Sequence, residues 1–236
     1  MRQTTVRLEA RLSRIAGNLV GPDREAPDVP ARGQGAPTVP RPVSSPRRAE
    51  LVAAAAQLFS ARGYHGTSMQ HLGRALGLQR GSLYAHIGSK EELLFDVVDQ
   101  GAERFLAMAR LAASSKGPAA SRLRALLVGH VSTAAQHLDA ATVFLNEWRY
   151  LSPGPRARIQ AKRDLYEAVV RAIIADGVAS GEFAPGVDAA MAGRLVLSAG
   201  NWVYTWYRPD GALSADAIGE QLSDLILDGL VKEGPP

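Results

Sequence analysis

Residues 77–94 read GLQRGSLYAHIGSKEELL and carry a glycine turn, a short helix and the start of a longer one. Leu83 and Ile87 lie four residues apart and predict a core-facing stripe, whereas Gly81 and Ala85 fall on the opposite side of the same helix. The outer face therefore has little bulk. Two short helices joined through a glycine turn, the second with such a bare face, predict a helix-turn-helix that enters a DNA major groove.

Helical periodicity surrounds this stretch, and no convincing strand pattern appears. The preceding helix should end near Gly63, a residue suited to a left-handed terminal position. Thr67 with Gln70, and Ser89 with Glu92, match capping boxes that open the second and fourth helices. We therefore predict an all-α fold. The first helix carries an apolar stripe formed by Leu51, Ala55, Leu58 and Phe59.

Several polar side chains of this stretch suit DNA contact. Arg80, at the start of the third helix, can donate two hydrogen bonds to a guanine edge. Ser82 and Tyr84 offer hydroxyl groups to bases or phosphates, and His86 and Lys90 suit phosphates. Each has an alternative: a half-buried ring for Tyr84, a local hydrogen bond for His86 and a solvated charge for Lys90. The combined spacing favours the DNA interpretation.

Residues 48–94 resemble the DNA-binding domain of the tetracycline-repressor (TetR) family of bacterial transcription regulators. The motif that carries the resemblance is AAAAQLFSARGYHGTSMQHLGRALGLQRGSLYAHIGSKEELL. The resemblance implies base or phosphate contacts for the third helix, phosphate contacts for His86 and Lys90, and a contact from Thr67. With a basic arm ending at Arg48 that could enter a minor groove, the predicted DNA-binding residues are Arg48, Thr67, Gln79, Arg80, Gly81, Ser82, Tyr84, His86 and Lys90.

Three positions depart from the family pattern. Gln79 stands where a small capping residue is common, Ile87 where an aromatic residue is usual, and Leu72-Gly73 where Ile-Ala is typical. These differences leave the predicted fold intact. Gln79 would either read an adenine or fray the helix start, so the operator sequence cannot be predicted.

The chain has 236 residues, 27 of them Lys or Arg and 23 Asp or Glu, and the basic excess is local. Residues 1–48 hold 9 basic and 4 acidic residues, which leaves 18 and 19 in the rest. The Pro/Ala/Arg-rich residues 1–45 predict a disordered tail. The chain contains no cysteine and no apolar run of the ~20 residues needed to cross a bilayer. We expect a cytoplasmic protein without a membrane partner.

The predicted domains are the tail, the DNA-binding domain at 46–94, and an all-helical part at 95–236 that resembles the family's effector-binding and dimerisation domain. Residues 188–208 form a helix that is apolar almost all round, with one stripe through Met191, Leu195, Ala199, Trp202 and Trp206. Such a helix must be covered on two sides. Together with the following helix it should form a homodimer interface through Leu195, Val203, Trp206, Ile218, Leu222, Leu225 and Ile226.

The resemblance also implies a small-molecule effector, for which we expect an apolar body with a polar or anionic end. RDLYEAVVRAII and NWVYTWYRPDG are similar to the subset of the family that controls fatty-acid or sterol catabolism in response to acyl-CoA thioesters. Ordinary core packing is the alternative for the tryptophans. The predicted effector-binding residues are Glu147, Arg149, Tyr150, Arg163, Tyr166, Asn201 and Trp202.

Two other function classes compete with a ligand-responsive repressor. An enzyme would need a nucleophile elbow, a zinc motif or a phosphate loop, and none is present. His130 and His137 lie seven residues apart but lack a third metal ligand, so we predict no metal, no cofactor and no catalytic residue. A DNA architectural protein with the same fold would need no effector pocket. We expect the repressor to release operator DNA when its effector binds.

Overall fold

A computed structural model describes residues 46–231, apart from the side chains of Pro46 and Arg80. The predicted tail at 1–45 lies outside the described residues. Within the described part the fold is all-α, as predicted, with no strand. The α-helices are α1 (Pro46–Gly66), α2 (Met69–Ala75), α3 (Arg80–His86), α4 (Lys90–Ser114), α5 (Ala119–Gln136), α6 (Leu138–Asn146), α7 (Pro153–Ser180), α8 (Ala189–Trp202) and α9 (Ala215–Leu230).

Two short 3-10 turns interrupt this series, at Glu147–Tyr150 after α6 and at Val203–Thr205 after α8. Helices α1 to α3 form a compact reading head, which we define as residues 46–89. Its apolar stripe on α1 is buried against Leu72, Leu83 and Ile87. The head therefore owes its shape to the stripe that the sequence predicted.

Glycines shape the joints of the head. Gly63 has φ 73° and ψ 162° and kinks the end of α1, and Gly77, with φ 63°, makes the turn between α2 and α3. Both φ values lie in the region that L-residues with a side chain avoid. The turn at Gly77 sets the angle at which α3 leaves α2.

Two predicted caps differ in outcome. Ser89 accepts a hydrogen bond from the Glu92 backbone N–H at 3.0 Å, so the predicted cap of α4 is confirmed. The predicted Thr67–Gln70 box is wrong by one residue, because Ser68 caps α2 and its own N–H donates to His71 Nδ1 at 3.2 Å.

The larger part of the chain packs α4 to α9 around a second portion of the same core. α4 crosses the predicted domain boundary between residues 94 and 95 without a break. It lies against α1 at its start and against α5 and α7 further along. α4 therefore packs against the reading head at one end and forms part of the larger domain along the rest of its length.

α8 has two unlike faces. Val196 and Gly200 are buried, as is Val203 just beyond the helix end, while Met191 and Trp202 remain about 60–65% exposed. The sequence predicted that this helix must be covered on two sides. A single protomer covers only one of them.

Within residues 46–231 no helix is both long and apolar enough to cross a membrane. The same residues contain no group of three or more acidic, histidine or cysteine side chains that could hold a metal ion.

Candidate DNA-binding face and effector cavity

α3 presents its outer face to solvent. Leu83 and Ile87 are buried, as predicted, while Gly81, Ser82 and Tyr84 are exposed. A Cβ added at Gly81 would meet no atom within 4 Å, so nothing in the described part of the protomer covers this position. The face can therefore approach base edges closely, with the two hydroxyl groups as hydrogen-bonding partners.

Three other predicted DNA contacts flank or begin this helix. Arg80 is its first residue, and Gln79 precedes it in extended conformation without capping it through its side chain. His86 ends the helix and is exposed. The positions of Gln79 and His86 remain compatible with contact to the DNA backbone.

Two predicted contacts instead hold the head together. The Thr67 side chain is buried, with its hydroxyl 2.9 Å from Gly63 O and 3.1 Å from Leu58 O. A side chain in that position cannot reach DNA. Lys90 donates from Nζ to Tyr64 O and Thr67 O, each at 2.9 Å, and lies 4.2 Å from the centre of the Tyr64 ring. It thereby ties the start of α4 to the segment between α1 and α2.

Arg48 is also an internal contact in this structure. Its Nη2 lies 2.6 Å from a carboxylate oxygen of both Glu92 and Asp96 on α4, and its Nη1 donates to His86 O at 3.2 Å. Burial raises the pKa of Asp96 in spite of the opposing effect of Arg48. The arginine therefore joins the start of α1 to α4 and to the end of α3, which sets where the reading helix lies.

A shallow groove of about 450 Å³, which the sequence patterns did not predict, lies beside Tyr84 between α2 and α3. Arg74, which is exposed in the last turn of α2, is the one cation among the described side chains that line it. The basic side chain of Arg74 was the sequence feature that could have indicated this groove, but Arg74 lies on α2 and was not among the predicted DNA contacts. The groove is lined by Ser68, Met69, Gln70, Gly73, Arg74, Leu78 and Tyr84.

A second site lies inside the larger domain. It is a cavity of about 230 Å³ between α4, α5, α6, α7 and α8, with aromatic walls and a polar mouth. Three of the seven predicted effector residues line it, namely Arg163, Tyr166 and Asn201. The full lining is Ala102, Phe105, His130, Phe144, Trp148, Gln160, Lys162, Arg163, Asp164, Tyr166, Glu167, Leu197 and Asn201.

Arg163 is the charged group that distinguishes this cavity. Its guanidinium lies 5.1 Å from the ring centre of Phe144 and 4.9 Å from that of Trp148. Burial and the charge of Arg149 lower the pKa of Arg163, and among the described residues no carboxylate forms an ion pair with it. By contrast, Lys162 is neutralised by two carboxylates at 2.6 Å. A half-buried cation stacked on aromatic rings suits an anionic ligand group.

His130 and Tyr166 form the innermost polar pair, with 2.8 Å between Nδ1 and the phenol oxygen. Burial lowers the pKa of His130 to about 4 and raises that of Tyr166. Both groups are therefore neutral near pH 7. They offer hydrogen bonds to an uncharged polar atom of a ligand rather than a charge.

Four predicted effector residues lie elsewhere, which corrects their assignment. Glu147, Arg149 and Tyr150 belong to the 3-10 turn after α6, where Glu147 and Tyr150 contact the reading head. Trp202 is 65% exposed and lies outside the cavity. Sequence spacing could not show that this turn faces away from the cavity at most of its positions.

The exposed face of α8 and α9 is the candidate dimer surface. Leu195, Trp206 and Leu225 are exposed there, while Leu222 and Ile226 are half-buried. The assignment of Val203 and Ile218 to this surface is corrected, because both are buried within the protomer against Val131. Exposed apolar side chains on two adjacent helices are typical of a protein interface.

Comparison with known proteins places both parts of the chain. The family described as bacterial regulatory proteins, tetR family, matches residues 51–97, and the family described as tetracyclin repressor-like, C-terminal domain, matches residues 116–230. A TetR family transcriptional regulator of Thermus thermophilus, PfmR, is 37% identical, with a TM-score of 0.72 over 77% of this chain and 99% of its own.

Two further relatives are a transcriptional repressor and a protein solved with a ligand and operator DNA. The HTH-type transcriptional repressor KstR2 of Mycobacterium tuberculosis is 28% identical over 80% of this chain and 94% of its own. The structure of AibR, solved in complex with isovaleryl coenzyme A and operator DNA, is 27% identical, with a TM-score of 0.68 over 78% of this chain and 97% of its own. With a bare α3 face, a cavity in the larger domain and these matches along both parts, the chain belongs to the TetR family of bacterial transcription regulators.

Proposed function

We propose that two copies of this chain form a repressor that binds operator DNA through paired α3 helices and releases it when an acyl-CoA thioester enters the cavity. The proposed base and phosphate contacts are Gln79, Arg80, Gly81, Ser82, Tyr84 and His86. This function gives the chain no catalytic role and sets it in the cytoplasm, where bacterial DNA lies. The observation that carries it is the uncovered face of α3 around Gly81.

The shape of the cavity supports an effector with a short apolar end. Its volume of about 230 Å³ is below the ~300–1,000 Å³ of sites that enclose a drug-sized ligand. Phe105, Phe144, Trp148 and Leu197 surround this space. It fits an acyl group, while a larger attached group would remain outside the mouth.

The charges at the mouth support an anionic attached group. Gln160, Arg163, Asp164 and Glu167 line the cavity at the spacing of one helix face. Arg156 lies one turn before Gln160 on that face and is exposed. The carboxylates on this face have partners, since Asp164 accepts a hydrogen bond from Gln160 and Glu167 lies 3.8 Å from Arg171. Arg156 and Arg163 are then the two cations offered to the phosphates of coenzyme A.

Operator release is tested by fluorescence anisotropy with duplex DNA from the gene's own promoter. We expect isovaleryl-CoA or a longer acyl-CoA to raise the operator Kd roughly 5- to 150-fold, and coenzyme A alone or the free acid to do so much less. Arg163→Met should abolish this response, whereas Arg110→Met, a change at an exposed arginine of α4 outside the cavity, should retain it. Operator binding whose Kd does not change with any acyl-CoA would favour an architectural DNA-binding protein.

Base reading is tested at Arg80. Arg80→Ala should cost ~1–3 kcal/mol at one operator position while leaving non-specific DNA binding nearly unchanged. A competition assay with single-base operator variants measures this loss. Equal weakening on every sequence would show that Arg80 does not read a base.

A further inference from the structure

The 3-10 turn at Glu147–Tyr150 has two faces that each make contacts. In a 3-10 helix residues i and i+3 lie on the same side, so Glu147 and Tyr150 share one face and Trp148 lies on another. The first face contacts the reading head, and Trp148 lines the effector cavity. Four residues thus connect the cavity directly to the head.

Contacts on the head side converge on one segment. Glu147 Oε2 accepts a hydrogen bond from the Tyr64 backbone N–H at 2.9 Å. The Tyr150 ring stacks on Tyr64 at 6.0 Å and meets the edge of His65 at 4.4 Å between ring centres. Since Lys90 holds the carbonyl groups of Tyr64 and Thr67, a shift at Tyr64 reaches the start of α2 and the start of α4.

Contacts on the cavity side leave Trp148 able to respond to a ligand. Its ring is buried and stacks with Arg163 at 4.9 Å. Its indole Nε1 is buried and meets no acceptor within the described part of the chain. A buried N–H without an acceptor is costly, so a ligand oxygen that accepts from Nε1 would favour a new position of the indole. A ligand that displaces Arg163 would also remove the cation that lies over the ring.

We infer that Glu147 and Tyr150 are positioning residues through which occupancy of the cavity shifts the reading head. This inference rests on the proposed ligand-responsive function. The effect acts through Trp148 on the cavity side and through Tyr64 on the head side. α4 offers a parallel route, since it also joins the cavity to the head, and the experiment separates the two.

The test fills the cavity without a ligand. Leu197→Trp adds bulk from α8, and Gln160→Trp adds it from the mouth as a second filling variant. Operator Kd is measured by anisotropy on full-length protein. We expect filling to raise the Kd about 10-fold, within the range of allosteric coupling.

The same filling is then repeated with the turn released. In Glu147→Ala/Tyr150→Ala the rise should shrink to about twofold or less, because cavity and head are no longer joined by the turn. In Glu147→Gln/Tyr150→Phe, which keeps an acceptor oxygen and the ring, the full rise should persist. The readout is the ratio of the operator Kd of the filled variant to that of the unfilled one. Recovery of the full ratio in Glu147→Gln/Tyr150→Phe shows that the lost contacts, and not a general loss of stability, reduce it in the double alanine variant.

The outcomes separate this inference from the proposed effector. An equal rise in all three backgrounds, or no rise on filling in the unchanged chain, would overturn the role of the turn. Release by isovaleryl-CoA that persists in the double alanine variant would also overturn it while supporting the effector. If filling acts through the turn but no acyl-CoA binds, the effector assignment fails and the turn keeps its role.

Discussion

The reading head and the effector cavity use their polar groups in opposite ways. In the head, Arg48 and Thr67 direct their hydrogen bonds to the protein itself, as does Lys90 at the start of α4. In the cavity, Arg163 lies on aromatic rings with no ion-pair partner among the described residues. A charge satisfied internally stabilises a fold, whereas a charge left half-buried without a partner favours a ligand.

The internal bonds of the head explain why the outer face of α3 can carry small side chains. The internal ties of Arg48 to α4 and to the end of α3 fix the reading helix from behind. α3 itself then needs no bulky side chain on its outer face for stability. The reading helix is therefore held on its inner side by Arg48 and exposed on its outer side around Gly81. The cavity, by contrast, has mostly apolar walls and one cation, Arg163, without an ion-pair partner among the described residues.

Operator binding should require two reading heads. Trp202→Glu/Leu225→Glu places charges on the exposed apolar face and should yield a monomer whose operator affinity falls by more than about 100-fold, since the two heads no longer bind together. Light scattering after gel filtration measures the mass. Leu111→Glu is the matched control, because Leu111 and Leu225 are equally exposed, at 74%. A monomer that binds at full affinity would contradict the paired arrangement.

Acid titration tests the buried, neutral state of His130 in the cavity. The pKa of His130 in the folded chain is about 4, below the ~6.5 of an unfolded chain. The unfolded state therefore binds the extra proton between these values, so the stabilising effect is complete above pH ~6.5 and is lost as the pH falls toward ~4. Between pH 7.5 and 5 this loss amounts to about 2 kcal/mol.

Urea unfolding of the unchanged chain and of His130→Gln measures that loss at fixed protein concentration. The variant keeps a hydrogen-bonding partner for Tyr166 but cannot titrate. Carboxylates such as Glu92, whose pKa is lowered, act equally in both proteins. The same acid sensitivity in both would mean that His130 is not the buried neutral group described here.

The internal role of Lys90 is tested by its substitution. Lys90→Met removes two hydrogen bonds from a charged group to carbonyl groups and should lower the free energy of unfolding by roughly 1.5–3 kcal/mol. The salt dependence of operator binding should stay unchanged, because the ammonium group is engaged within the protein. A log–log slope that flattens by ~0.9 per protomer would assign Lys90 to a phosphate instead.

Sequence patterns predicted the fold because they report burial directly. The spacing of Leu83 and Ile87 defined which side of α3 is core, and the all-round apolar character of residues 188–208 required two covered faces. The cap at Ser89 followed from a local rule. Each of these depends on residues within about two turns of one another.

Polar roles were harder to predict because they depend on partners far along the chain. Arg48 finds Glu92 44 residues later, and Glu147 meets Tyr64 across 83 residues. Glu147 and Tyr150 look like pocket residues in sequence, yet the 3-10 geometry turns only Trp148 to the cavity. Sequence spacing excluded a metal pair at His130 but could not place it beside Tyr166, because the two residues lie 36 positions apart.

Gly200 on α8 rests against His130, since a Cβ there would lie 2.8 Å from the imidazole Cδ2. Two residues further on, the Trp202 side chain is 65% exposed. One helix thus carries both a wall of the cavity and part of the exposed apolar surface that is the candidate dimer surface. Mass action then makes the two associations interdependent: diluting the protein toward monomers should change the apparent effector affinity, and a titration performed at one concentration alone would mistake that linkage for two classes of site.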